Sequence, residues 1–311
     1  MSIQTKSAFL TILGRPNVGK SSLLNKLIGQ KIAIVSDKPQ TTRTRIMGIL
    51  TKDETQYVFI DTPGFHKPHN LLGDNMIKAV NNSMADVDCA VFVVDACPDF
   101  KFNKDSLPPA ELSLIESIKK KGIPTILVIN KIDLLKEKDV LFEIISAYSS
   151  LYDFKAVIPL SAKTGDGCDI LLNEISAFSK PSPHFFDDDD FTDQADKVMV
   201  AELIREKLLH CLSKEVPHGI AVDIEKFYET DTKNGEPIIC TEAVIYCEKD
   251  SHKGIVIGKG GAMLKRVGSL ARHDIETFYG IKASLKLWVK VKEDWRNRQG
   301  LIHTFGLDEE N

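Results

Sequence analysis

Short apolar runs alternate with longer stretches in which apolar residues recur every three or four positions, and the alternation continues to about residue 178. That pattern predicts an α/β fold, a mostly parallel sheet covered by helices. The predicted strands are Ala8–Leu13, Ile46–Thr51, Tyr57–Asp61, Ala90–Asp95, Thr125–Asn130 and Ala156–Leu160. Ser36–Arg43 is polar and has no apolar period, which predicts a mobile loop.

Residues 179–196 change the texture. Pro181 and Pro183 precede Asp187-Asp188-Asp189-Asp190, as in an extended, self-repelling linker. Four adjacent carboxylates point in different directions, so a solvated segment explains them better than a metal site does. From residue 197 a helix over 197–212 places Val198, Ala201, Ile204, Leu208 and Cys211 on one face. Alternating strands follow near Ala221–Tyr228 and Ile238–Cys247, then Ile255-Val256-Ile257, then a helix carrying Met263, Leu264, Val267, Leu270 and Ala271. Residues 285–292 alternate apolar with basic side chains and predict a last strand with one wet, positive face. The order α-β-β-α-α-β predicts a second, α+β domain, so the expected division is 1–178, a linker over 179–196, and 197–311.

Composition adds bounds. The chain has 311 residues, 43% apolar and 27% charged, as in a soluble globular protein with two cores. No apolar run approaches the ~20 residues of a membrane span, and no cleavable apolar leader opens the chain, so a cytoplasmic protein is expected. Cys89, Cys97, Cys168, Cys211, Cys240 and Cys247 show no C-x-x-C spacing and predict reduced thiols. The net charge of −4 conceals a basic region: 252–292 holds nine lysines and arginines against Asp274 and Glu276.

The candidate chemistry begins at Gly14-Arg15-Pro16-Asn17-Val18-Gly19-Lys20-Ser21, between the first predicted strand and a helix. A glycine-rich turn with an exposed lysine would share these residues but not that context. Gly14 and Gly19 let successive N–H groups, those of Gly14, Asn17, Val18, Gly19, Lys20, Ser21 and Ser22 among them, converge on an anion at a helix N-terminus. Lys20 then reaches the outer phosphates and Ser21 ligates Mg²⁺. Asp61-Thr62-Pro63-Gly64 closes another strand, where Asp61 can hold a Mg²⁺-bound water and the Gly64 N–H can meet a terminal phosphate. Asn130-Lys131-x-Asp133 ends a third. Guanine offers N1–H and its 2-amino group on one edge, and the Asp133 carboxylate can accept both, with Lys131 along the base and Asn130 bracing the loop. Ser161-Ala162-Lys163 closes the last strand, where the Ala162 N–H can donate to guanine O6.

In the second half, Gly258-Lys259-Gly260-Gly261 follows Ile257 and precedes a helix bearing Lys265, Arg266 and Arg272. A G-x-x-G turn between helices beside a sheet resembles a KH module, whose glycines admit the backbone of about four single-stranded nucleotides.

The four nucleotide elements in this order resemble the translation-factor-like GTPases. With a type II KH domain behind them, the chain is similar to the bacterial Era family over nearly its whole length. The resemblance implies a GTP/GDP switch with Mg²⁺ at Ser21, Thr42 and Asp61, in which Thr42 ligates the metal only when the γ-phosphate is present. It assigns catalysis to Asn17, Lys20, Thr42 and Gly64. It implies binding near the 3′ end of 16S rRNA during small ribosomal subunit maturation, a monomer, and peripheral contact with the inner membrane. Phe65 stands where Ras-like proteins carry a water-orienting Gln. In related GTPases an Asn at the position of Asn17 helps hold K⁺ beside the phosphates. Two other classes stay open: a static RNA-binding protein with a non-catalytic nucleotide domain, and an ATP-dependent P-loop enzyme, which leaves Asn130-Lys131-x-Asp133 unexplained.

Overall fold

A computed structural model describes residues 5–38, 40–65, 68, 70–97, 107–137, 139–213 and 216–308. Pro39, inside the predicted loop, lies outside the described residues. The chain forms two compact units: one takes the chain up to Ala33 and most of it from Thr42 to Asp193, the other takes Ile34–Thr41, Asn70–Leu72 and everything from Gln194.

The first unit runs β1 (Lys6–Leu13), α1 (Lys20–Ile28), β2 (Ile46–Lys52), β3 (Thr55–Asp61), α2 (Leu71–Asn82), β4 (Cys89–Asp95), α3 (Pro109–Lys121), β5 (Thr125–Asn130), α4 (Val140–Ser149), β6 (Ala156–Pro159), α5 (Cys168–Ser176) and the short β7 (Lys180–Pro181). Among the described residues its sheet has the order β2-β3-β1-β4-β5-β6. β2 is antiparallel to β3, while β3, β1, β4, β5 and β6 are mutually parallel. Every residue of β5 is buried, and all of β4 except its last, because helices cover both faces. Leu114, Ile118, Ile144 and Tyr148 of α3 and α4 pack with Phe92 and Leu127 on one face. Leu23, Leu24 and Leu27 of α1 with Leu171 and Ile175 of α5 are buried too, and the two helices touch each other. The order changes direction at β1, so the loop after β1 opens at the crevice where such sheets bind ligands.

Residues 179–193 do not stand off as a linker. β7 pairs antiparallel with the start of β1, Gln56 bonds the backbone of Phe185 and Phe186 at 2.8–3.1 Å, and Thr192 Oγ1 donates to Met47 O at 2.7 Å. Phe185 packs edge-on against Phe9. Aromatic anchors and backbone pairing outweigh the repulsion of the aspartates between them.

The second unit contains α6 (Asp196–Cys211), β8 (Ile220–Asp231), β9 (Pro237–Cys247), α7 (Asp250–Ile257), α8 (Ala262–Tyr279), β10 (Lys282–Val291) and α9 (Gln299–Thr304). Its sheet has the order β10-β9-β8, with β10 parallel and β8 antiparallel to β9. Val256, Val267, Ala271 and Ile275 of the helices and Ile239, Ala243 and Ile245 of β9 are buried in its core.

The structure corrects two further expectations. On α6, Val198 is exposed, whereas Met199, Val200, Leu203 and even Arg205, Glu206 and Lys207 are buried. The cause is the segment Ile34–Thr41, which overlaps the loop Ser36–Arg43 expected to be mobile and is held against this helix. Glu206 accepts from Val35 N at 3.0 Å, His210 Nε2 meets Val35 O at 2.9 Å, and Arg205 donates to Thr41 O. Lys38 Nζ donates to Leu209 O and Leu212 O, capping the helix's last carbonyls. On the other side of α6, Lys207 bridges Glu206 and Asp274. Second, Leu270 is exposed on α8 rather than part of its inner face.

Candidate functional site

The loop between β1 and α1 takes its shape from two glycines that nothing larger could replace. Gly14 lies at φ +153°, where a Cβ would stand 2.4 Å from Val93 O. Gly19 lies at φ +97°, where a Cβ would stand 2.2 Å from Asn130 Nδ2. The second contact shows the purpose: Asn130, at the end of β5, reaches under the loop and donates from Nδ2 to Val18 O at 2.8 Å. Strand β5 thus braces the phosphate loop. Ser22 continues the first turn of α1.

Lys20 is buried and donates to Gly14 O at 3.2 Å and Arg15 O at 3.1 Å. Burial lowers its ammonium pKa to about 8, partly offset by Asp61. The Ser21 hydroxyl donates to Asp61 Oδ2 at 2.6 Å and lies 3.0 Å from Thr42 Oγ1. Thus Ser21, Thr42 and Asp61, far apart in sequence, meet at one point. Asp61 is fully buried, and its Oδ1 has no hydrogen-bond partner among the described residues. Burial pushes its carboxyl up, against the pull of Lys20 and Ser21. A buried carboxylate with an unmet oxygen beside two hydroxyls fits a cation. Among the described residues no group of three or more His, Cys, Asp or Glu side chains is placed to hold a metal ion. This donor set therefore fits Mg²⁺ shared with phosphates rather than a cage made of protein alone. When bound there, Mg²⁺ neutralises charge on the outer phosphates.

Gly64 sits against the loop, since a Cβ on it would come 2.7 Å from Pro16, and the next residue's N–H donates to Gly14 O at 3.2 Å. That next side chain, Phe65, packs against the core under α2–α4 and has no group to orient a water. Asn17 has φ +64°, an unusual conformation for a non-glycine residue.

The end formed by Asn130, Lys131 and Asp133 is equally connected. Asn130 Oδ1 accepts from Lys131 N at 2.8 Å and Ala162 N at 2.9 Å, tying β5 to the loop after β6. Ser161 Oγ donates to Asp133 Oδ1 at 2.7 Å, fixing an otherwise exposed carboxylate, and Lys163 is exposed at the rim. The Ala162 N–H, expected to serve guanine O6, is therefore engaged by Asn130, and a bond to O6 has to be shared with it. Sequence reasoning missed Asp95, the last residue of β4, whose carboxylate holds Lys131 Nζ at 2.6 Å. An acid ending a buried parallel strand, the signal that marks Asp61, is present there too.

In the second unit α7 ends at Ile257 and the chain turns through Gly258, Lys259, Gly260 and Gly261 into α8. All three glycines have positive φ, and a Cβ on Gly258 would come 2.7 Å from Met263 Cβ. Lys259 and Gly260 are exposed at the tip. Beside the turn a groove of about 390 Å³ runs between α8 and β10, lined by Gly261, Leu264, Lys265, Arg272, Leu285 and Leu287 among others. Lys265 and Arg272 are thus brought to the groove, while Arg266 and Ile257 are not part of its lining. On the positive face expected over 285–292, Lys286 and Lys290 are paired with carboxylates. Lys282, Lys286 and Lys290 point to the opposite face and pair with Glu236, Glu242 and Glu225 of β8, β9 and their connection.

Comparison with known proteins gives the same two parts. Residues 9–131 match the model of the 50S ribosome-binding GTPase family, and residues 215–296 match that of the KH domain. GTPase Era of Clostridioides difficile (strain 630) is 49% identical over 304 residues, covering 98% of this chain and 99% of that protein. GTPase Era of Ruminiclostridium cellulolyticum is 47% identical over 302 residues, 97% of each. A crystal structure of an Aquifex aeolicus Era variant bound to GDP.AlF4- superposes with a TM-score of 0.90 at 32% identity, covering 98% of this chain and 100% of that one. A structure of Era in complex with MgGDPNP and nucleotides 1506–1542 of 16S ribosomal RNA also has a TM-score of 0.90, at 33% identity over 98% and 99% of the two chains. A braced glycine loop, the Asp133 carboxylate held by Ser161 and a G-x-x-G turn beside an apolar groove, in one chain matched over nearly its whole length by these relatives, make it a member of the Era family of GTPases.

Proposed function

We propose that this GTPase binds single-stranded RNA near the 3′ end of 16S rRNA through its second unit, under control of the nucleotide, and so serves assembly and maturation of the small ribosomal subunit. The observation that carries the reading is the turn Gly258–Gly261 with exposed Lys259 beside a groove that combines Leu264, Leu285 and Leu287 with Lys265 and Arg272. Apolar walls suit bases and the basic rim suits phosphates. The Era structure that holds a 16S fragment supports the choice of RNA. Ser21, Thr42 and Asp61 hold Mg²⁺ with the nucleotide, and Asn17 helps place K⁺ beside the phosphates. The protein works as a monomer in the cytoplasm, with peripheral contact to the inner membrane.

The test is filter binding of a single-stranded RNA from the 16S 3′ end to the full chain with GDP, with a non-hydrolysable GTP analogue, and with Lys259→Asp. Lys259 suits the purpose better than Gly258, because any side chain at Gly258 meets Met263 and would disturb the fold itself. Binding should weaken steeply with salt, differ between the nucleotides, and fall about tenfold or more in Lys259→Asp as a carboxylate meets phosphate. Salt-insensitive binding, or full binding by the variant, overturns the RNA site. Equal affinity in both nucleotide states keeps the RNA site but removes its control by the nucleotide.

A further inference from the structure

Glu111, on the first turn of α3, is fully buried and is absent from the four nucleotide elements. Its carboxylate is divided between two partners. Oε1 accepts from Arg15 Nε at 2.5 Å, and Oε2 accepts from the Tyr148 hydroxyl of α4. Burial and the Glu111 charge push the Tyr148 phenol well up, so the hydroxyl stays a donor. The start of α3 adds its positive helix end.

Arg15 is the second residue of the phosphate loop. Its side chain is tied to Glu111, while its carbonyl accepts from Lys20 Nζ. The next residue, Pro16, abuts Gly64, and the one after is Asn17 in its left-handed conformation. The outer limb Arg15-Pro16-Asn17 is therefore held from outside the loop at two points, by Glu111 through a side chain and by Gly64 through backbone contact. A buried ion pair adds little net stability compared with apolar residues of the same volume. The buried Tyr148 hydroxyl needs an acceptor but a neutral one would serve, so folding alone gives no reason for a charge tied to Arg15. A fixed position for one loop residue does, since strained backbone at reactive sites persists only where its surroundings hold it.

We infer that Glu111 is a positioning residue for GTP hydrolysis: with Tyr148 it anchors Arg15, which fixes the outer limb of the phosphate loop where the terminal phosphate is cleaved. Nucleotide affinity rests on other groups, the loop from Val18 to Ser22 and the base site at Asn130 and Asp133. Loss of the anchor acts on turnover rather than on binding.

The experiment measures kcat and KM for GTP, GDP affinity and thermal unfolding in the full chain for Glu111→Gln, Glu111→Asp, Tyr148→Phe, Arg15→Gln and the double variant Arg15→Gln/Glu111→Gln. Small misplacements of a reacting group cost up to about 100-fold in rate, so Glu111→Gln should lose about tenfold or more in kcat with KM and GDP affinity within about threefold. Glu111→Asp should recover part of that loss. The double variant should be no slower than the worse single one, because both break the same contact. Unchanged kcat in Glu111→Gln, or kcat and GDP affinity falling together in proportion to the folded fraction, overturns the inference. If Glu111→Gln does not fold, Tyr148→Phe decides, because it keeps the ion pair and the volume. Lower kcat at unchanged GDP affinity supports the anchor, and wild-type kcat refutes it.

Discussion

Replacing Asn130 by aspartate probes the brace under the phosphate loop with almost no change in volume. Asn130 is 2% exposed and makes three bonds: Nδ2 to Val18 O at 2.8 Å, and Oδ1 from Lys131 N at 2.8 Å and Ala162 N at 2.9 Å. In Asn130→Asp the two accepted bonds survive. The donated one is replaced by two oxygens facing each other in a dry site. Losing the bond costs about 1 kcal/mol, and leaving a buried acceptor unmet costs about 1–3 kcal/mol more. At 1.4 kcal/mol per factor of ten, the total of roughly 2–4 kcal/mol weakens nucleotide binding by roughly 30- to 700-fold. Without nucleotide the loop can retreat from the new oxygen, so the cost falls mainly on binding and the unfolding temperature should move little. Competition binding of GDP at a series of pH values measures it. Burial raises the pKa of the introduced carboxyl, and its protonated form can donate to Val18 O again. The deficit relative to wild type should therefore shrink as pH falls. Binding of GDP within about threefold of wild type at about pH 8 would refute the brace, since a single lost bond is worth more than that. A deficit that does not change with pH would refute the account of two opposed oxygens.

Asp133→Asn should weaken GTP binding and favour xanthosine triphosphate, whose ring carries a carbonyl at position 2. Unchanged GTP affinity would remove Asp133 from base recognition. Turnover should be faster in KCl than in NaCl at equal ionic strength, and Asn17→Ala should abolish the difference while GDP still binds; equal wild-type rates in the two salts exclude a K⁺ role for Asn17. The folded-state pKa of Lys20 is about 8 against 10.5 for a free lysine. Between those values the nucleotide-free folded chain binds fewer protons than the unfolded one, so its stability rises with pH across that window, and the burial penalty is complete below it. Phosphates restore the proton, so GDP affinity should fall as pH rises above about 8. Calorimetry in buffers of different ionisation enthalpy would detect the proton taken up, and no uptake near pH 9 would contradict the buried lysine.

Chemistry confined to a few consecutive residues is legible in the sequence. Gly14 to Ser21, Asp61 to Gly64 and Asn130 to Asp133 are each short consecutive strings, and the parallel strands place their ends side by side. What is not legible depends on partners distant in the chain. Apolar periodicity misplaces the buried face of α6 because Arg205 and Glu206 are covered by residues about 170 positions earlier and Lys207 by Asp274. The lysines of β10 have the spacing of an RNA surface, yet strand register sets them against Glu225, Glu236 and Glu242. Glu111 carries no motif at all. Only the packing of α3 and α4 brings its carboxylate to Arg15 and Tyr148.

The segment Ile34–Thr41 bears on how the chain is made. Its bond from Val35 N to Glu206 spans 171 residues. At a synthesis rate of about 5–20 residues per second, the segment leaves the ribosome roughly 10–30 s before the helix it belongs on. The sheet around β1 can fold in that interval, but Lys38 has no carbonyls to cap until α6 arrives.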